Sequence, residues 1–227
     1  ASQHDAEAIR FKTDLIAHGA AALALEAIDK RLLAVETPES RGRMLAHRAE
    51  ILAEHLGRKD EAIDTLIAAL DLAPAEDSLH RKTRALAKEM GAVPRYVETL
   101  TTLADAARRK DETLFRAGLL LRLGEVTETD LFDLDAAADL FGKVEGLGVR
   151  VVDAWQALAR VADARGDGNE EVRVLRKLVD AEDANVPAEA RTKALYRIAE
   201  VELAAGRVDD GLDTLRAGLD REPRYSR

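Results

Sequence analysis

The chain has 227 residues, 47% of them apolar but only 4% aromatic, and it contains no cysteine. Disulfide scaffolds, cysteine–zinc sites and cysteine catalysis are therefore excluded, and a core rich in Ala and Leu suits helix–helix packing better than a sheet, which favours β-branched and aromatic residues. A formal net charge of −9 and a pI near 5.2 argue against general nucleic-acid binding, which needs a basic face.

Apolar residues at helical spacing predict a first helix from Gln3 to His18, with Ala6, Ile9, Leu15 and Ile16 on its apolar side and Gly19 ending it. A second, from Ala21 to Val35, carries Leu23, Leu25, Ile28, Leu32 and Leu33. Thr37-Pro38-Glu39-Ser40 reads as a linker and N-cap. The stretch from Arg41 to Glu76 then reads as two amphipathic helices around a tight turn. The first carries Leu45, Ala49, Leu52 and Leu56; the second carries Ala62, Ile63, Leu66, Ala69 and Leu70. Gly57 supplies the backbone freedom a helix C-terminus needs, and Pro74 ends the second helix. Small residues at Ala49, Ala62 and Ala69 let two helix axes come close.

The next pair runs from Asp77 to Met90 and from Pro94 to Arg108, turning at Gly91. Glu112 to Leu131 contains Leu120-x2-Leu123-Gly124, and its partner contains Ala137-x3-Phe141. Phe132 occupies the turn where a glycine is expected, which makes this unit longer. Gly146 and Gly148 end the second helix. Trp155-x2-Leu158-Ala159, Gly166 and Glu171-x3-Leu175 form the following pair. The last has helices from Pro187 to Ala205 and from Asp209 to Asp220, with Leu195-x2-Ile198-Ala199, Gly206, Gly211-x3-Leu215 and then Pro223.

Ala62-x3-Leu66 followed by Pro74 resembles the A-x3-F…P half of the tetratricopeptide repeat, and Gly57 to Ile63 resembles that family's turn and second-helix start. Recurrence carries the resemblance. Gly57 and Gly91 are 34 residues apart, the family's period, and the Leu120 and Trp155 segments resemble its W-x2-L-G. The departures are Leu66 for an aromatic residue, Tyr96-x3-Leu100 for A-x3-F, Ala49 where glycine is frequent, and Glu171 where alanine usually packs. The resemblance covers Arg41 to Pro223. It implies an all-α, right-handed superhelical α-α solenoid of about six helix pairs in a single array, with repeats at 2–40 (degenerate), 41–75, 76–109, 110–149, 150–186 and 187–223. First helices would line the concave face and second helices the convex one. The start at Ala-Ser and the lack of a polar capping helix at Arg227 read as a piece of a longer protein, or as an end that associates with something.

Chemistry is sparse. The five histidines, His4, His18, His47, His55 and His80, show neither H-E-x-x-H nor metal-ligand spacing. G-x-S-x-G and phosphate-binding glycine loops are absent too, and Asp167-Gly168-Asn169 is a turn, not a calcium loop. The reading assigns no catalysis, no cofactor and no metal. Trp155 is read as core. The implied function is a protein-interaction scaffold that binds a peptide or protein partner in the concave groove; the alternatives are a structural spacer or self-assembly element of a larger protein, and a peptide-sensing regulatory domain. First-helix phasing offers Arg81, Arg84, Lys88, Arg122, Glu125, Gln156, Arg160, Lys193, Tyr196, Arg197 and Glu200 as groove contacts. Arg81, Arg84 and Lys88, with Arg122 and Arg160, would form a positive strip attracting an acidic segment. Some members of the family grip a C-terminal carboxylate with Lys, Arg and Asn, but here the asparagines are missing. Nucleic acid and direct membrane insertion are not expected; self-association through the open C-terminal end is kept as an alternative. Arg-, Ala-, Leu- and Asp-rich composition reads as bacterial, and the compartment as cytoplasmic, or periplasmic if a signal or anchor precedes the chain.

Overall fold

The computed structural model describes residues 3–181 and 186–221; Pro223 and Arg227 lie outside them. Among the described residues there are twelve α-helices and no strand: α1 Gln3–Ala17, α2 Ala21–Leu33, α3 Pro38–Glu50, α4 Lys59–Leu72, α5 Asp77–Glu89, α6 Val93–Arg109, α7 Thr113–Thr129, α8 Leu134–Gly146, α9 Val151–Arg165, α10 Gly168–Asp180, α11 Ala188–Ala204 and α12 Val208–Arg221. They form two compact units, Ala1–Leu103 and Ala104–Arg227. From α1 to α5 in the first unit and from α7 to α12 in the second each helix packs on its successor, and first helices also touch first helices, α1 with α3, α3 with α5, and α7 with α9.

In the first unit Ala62, Ile63, Leu66, Ala69 and Leu70 of α4 are all buried. Gly42 on α3 sits so close that an added Cβ would meet Ala73 Cβ at 2.9 Å and Ala69 O at 3.2 Å. This contact lets α3 lie against the end of α4. Thr37 caps α3, its side chain accepting from Ser40 N.

The apolar registers differ from the sequence reading in places. Leu23 and Leu33 of α2 are exposed, and Ala6 of α1 is exposed, while Asp5 and Lys12 of α1 are buried. The reason is ion pairing: Arg31 bonds Asp5 at 2.7 Å and Lys12 bonds Glu50 at 2.6 Å. In α3 the buried set is Gly42, Met44, Ala46 and Ala49, continued by Ile51 and Leu52, with Leu45 and Leu56 only half-buried. From Ile51 onward the register moves because α3 runs into a π-helical turn, Ile51–His55, which inserts one residue into the helical repeat and takes Leu56 off the buried side.

In the second unit Ala137 and Phe141 pack with Ala157 and Val161, and Val172, Val174, Leu175, Leu178 and Val179 pack with Ala194, Leu195 and Ile198. Trp155 lies at the edge of that second cluster, half-buried, and its indole donates to Glu145 Oε1 at 2.6 Å. It is thus an edge-of-core residue whose N–H needs, and has, an acceptor.

Candidate partner-binding surface

The candidate residues sit on first helices. In the first unit, α5 carries Arg81, Arg84 and Lys88, three or four residues apart and so on one side of the helix. Arg81 and Lys88 are exposed and Arg84 is half-buried. Beside them, Glu50 of α3 joins three first helices. It faces His47 at 3.7 Å and accepts from Lys12 of α1 at 2.6 Å and from Lys82 of α5 at 3.3 Å. His47 first, then the two lysines, hold the Glu50 carboxyl well below its ordinary range, against the opposing effect of burial.

The second unit gathers the other candidates into three clefts. Between α7 and α9 lies an opening of about 530 Å³, lined by Arg122, Glu125, Gln156 and Arg160 together with Leu121 and Arg150. A cleft of about 420 Å³ between α9, α10 and α11 takes Gln156, Lys193 and Arg197 against Leu175 and Leu178. A third, about 600 Å³, takes Arg197 and Glu200 beside the α9–α10 turn, with Asp163, Glu171 and Arg207. Tyr196 is half-buried and lines none of the three.

Arg160 and Arg197, both candidates, are committed to carboxylates of their own chain. Arg160 donates through Nε and Nη2 to both oxygens of buried Glu128, at 2.7 Å each. That two-pronged bond raises the guanidinium's already high pKa. Arg197 donates to Glu171 Oε1 at 2.6 Å, to Asp163 Oδ1 at 2.5 Å and to Glu200 Oε2 at 3.4 Å. Glu171 first, with Asp163 and Glu200, pushes Arg197 further up. Glu171 is 4% exposed, so the glutamate at an alanine-type position is the buried half of an ion pair. Glu202, 2% exposed, is treated alike: it accepts from Arg176 at 2.7 Å and from Thr214 at 2.9 Å. Sequence phasing found the arginines and marked Glu171 as out of pattern, but it missed Glu128 and Glu202 and the pairing of Glu171 with Arg197. The one available signal was a carboxylate at an otherwise apolar helical position.

No helix among the described residues is long and apolar enough to cross a membrane, and no group of three or more His, Asp or Glu there could hold a metal.

No protein-family model matches the chain, and no curated protein does. Solved structures do. The chain is similar to the crystal structure of MamA protein, at 18% identity over 82% of this chain and 93% of that one, with a TM-score of 0.52. A second MamA structure aligns at 19% identity over 75% and 92%, with a TM-score of 0.50. PilW, described as a widely conserved type IV pilus biogenesis factor, aligns at 16% identity over 100% and 96%, also at 0.50. Identity this low speaks to the fold, and with the recurring helix pairs it gives a definite answer: the chain has the all-α, helix-pair fold of the tetratricopeptide repeat proteins.

Proposed function

We propose that the chain is a protein-interaction scaffold that takes an extended peptide or a partner's surface along the clefts between its first helices. The cleft between α7 and α9 supports this most directly. It is open, it has an apolar wall at Leu121, and it offers both signs of charge through Arg122, Glu125, Asp153 and Arg160. Such a mixed surface suits a polar segment that carries charges of both signs. Arg160 and Arg197 are answered by carboxylates within the chain, so acidic groups of a partner would compete with those bonds instead of meeting a ready-made positive strip; Arg81, Arg84 and Lys88 are a further candidate on α5. Charge of this kind steers encounter more than it adds affinity.

The test is selection of binding peptides from a displayed library on the full chain, followed by titration of the selected peptide by fluorescence anisotropy. Gln156→Trp would fill the α7–α9 cleft from an exposed position without unpairing a charge. At least tenfold weaker binding is expected, with an unchanged melting temperature; Arg122→Glu should remove the salt-sensitive part. Equal affinity of Gln156→Trp and the parent at low salt would remove the cleft from consideration.

A second reading, self-assembly, is favoured by one observation. Val208, Leu212 and Leu219 lie along α12 and are exposed, with Leu203 of α11 nearby. An antiparallel pairing with α12 of a second copy would cover this stripe and bring Asp209 towards Arg216 of the other chain. Light scattering that gives a concentration-dependent mass, abolished by Leu212→Lys, would support it; a constant monomer mass would end it.

A further inference from the structure

In each of the six helix pairs the residue that turns the chain takes a left-handed backbone. Five of these are Gly19, Gly57, Gly91, Gly166 and Gly206; the sixth is Phe132, at φ 58°. An L-residue there crowds its Cβ against the following carbonyl, and a bulky one is a true outlier. Burial does not compensate: Phe132 is 82% exposed and its neighbour Leu131 is 40% exposed. For folding alone, glycine would serve better at both levels, backbone and solvent. The turn is nevertheless well built. Leu131 N donates to Val126 O at 3.2 Å, Asp133 N donates to Thr127 O at 3.0 Å, and Asp133 caps α8 by accepting from Ala136 N at 2.9 Å. The ring is thus presented on a fixed support, which lowers the ordering cost of any contact it makes.

Its neighbours in the chain are acidic. Asp130 and Asp133 flank the Leu131–Phe132 tip, and Asp135 follows, paired with Arg165 of α9 at 2.6 Å. We propose that Leu131 and Phe132 form an anchor that inserts into an apolar pocket, rimmed by basic residues, on a protein partner. Aromatic anchors in enclosed pockets dominate many interfaces, and backbone strain gathers where such contacts are made. The flank carries three carboxylates against the single cation of Arg165, and this net negative charge favours a basic rim on the partner and disfavours the anionic face of a membrane, which attracts basic segments instead. This surface is separate from the first-helix clefts and stands or falls without them.

The experiment places a photo-cross-linking phenylalanine analogue at position 132 of the full chain in its source cells and maps the cross-linked residue by mass spectrometry. The partner so identified is then purified and titrated calorimetrically against the parent, Phe132→Gly and Phe132→Asn. The expected result is one dominant partner, cross-linked in an apolar pocket flanked by Lys or Arg. Affinity should fall at least tenfold in both variants, while Phe132→Gly melts about 2–4 °C higher than the parent as the strain is released. Cross-links scattered over many proteins, a cross-link to a second copy of this chain, or undiminished affinity in both variants would overturn the proposal. So would binding to vesicles of phosphatidylcholine and phosphatidylserine that Phe132→Gly abolishes, since the anchor would then be a lipid one. A melting temperature that does not rise in Phe132→Gly would remove the strain on which the inference rests.

Discussion

Position 171 shows how one residue can depart from a repeat pattern at little loss. Alanine is expected there, and a glutamate lies buried instead, held by Arg197, whose guanidinium is itself half-exposed and also bonded to Asp163 and Glu200. The two halves of the pair are unequal. Arg197→Ala strands a buried carboxylate and is expected to cost about 3–5 kcal/mol. Glu171→Ala leaves Arg197 with its two exposed partners and restores the small residue, so a loss of about 1 kcal/mol or less is expected. Urea denaturation of both variants checks the asymmetry; equal losses would mean that Glu171 contributes packing as well as charge.

At the scale of the helix, close approach decides which glycines are needed. Gly124 of α7 faces Phe141 of α8 so tightly that an added Cβ would lie 2.4 Å from the ring, and Phe141 is 1% exposed. Gly124→Ala should therefore destabilise, because overpacking of about 1–3 kcal/mol outweighs a gain in helix propensity of about 1 kcal/mol. Gly142, on the same α8, has nothing within 4 Å of its would-be Cβ. Gly142→Ala should stabilise by about 0.5–1 kcal/mol. Opposite shifts of the denaturation midpoint are the outcome to look for. The Leu120-x2-Leu123-Gly124 and Ala137-x3-Phe141 motifs were legible in the sequence, but only the packing shows that they meet each other. The π turn at Ile51–His55 was not legible, since one inserted residue leaves an apolar run that still reads as a regular helix.

Across the whole molecule an acidic chain spends part of its charge on bonds between successive first helices, and acid should undo them. Glu50 is the clearest case, its folded pKa held far below the usual value near 4.3 by His47, Lys12 and Lys82. A depressed carboxylate contributes its full stability above the unfolded pKa and loses it as pH falls towards the folded one. Stability should therefore drop from about pH 5 downwards. Glu50→Gln should cost about 1.5–3 kcal/mol at pH 7, the range for hydrogen bonds to a charged group, and the gap to the parent should narrow below about pH 4. Melting temperatures across that range give the answer; a gap that stays constant would place the carboxylate's role in packing.

The sequence by itself determined the helices, their pairing and most turns, because apolar periodicity, glycine at Gly57, Gly91, Gly166 and Gly206, and Pro74 are local signals that each act within a few residues. It also determined which arginines stand on first helices. Only the tertiary structure decided what those arginines face. Glu128 lies 32 residues from Arg160 and Glu171 lies 26 from Arg197, and whether two charges so separated cancel depends on how neighbouring helices dock. Tertiary packing likewise decided that Lys12 goes inside while Leu23 and Leu33 stay out. A buried charge is stable only where another helix brings its partner, and hydrophobicity read along one helix does not contain that partner.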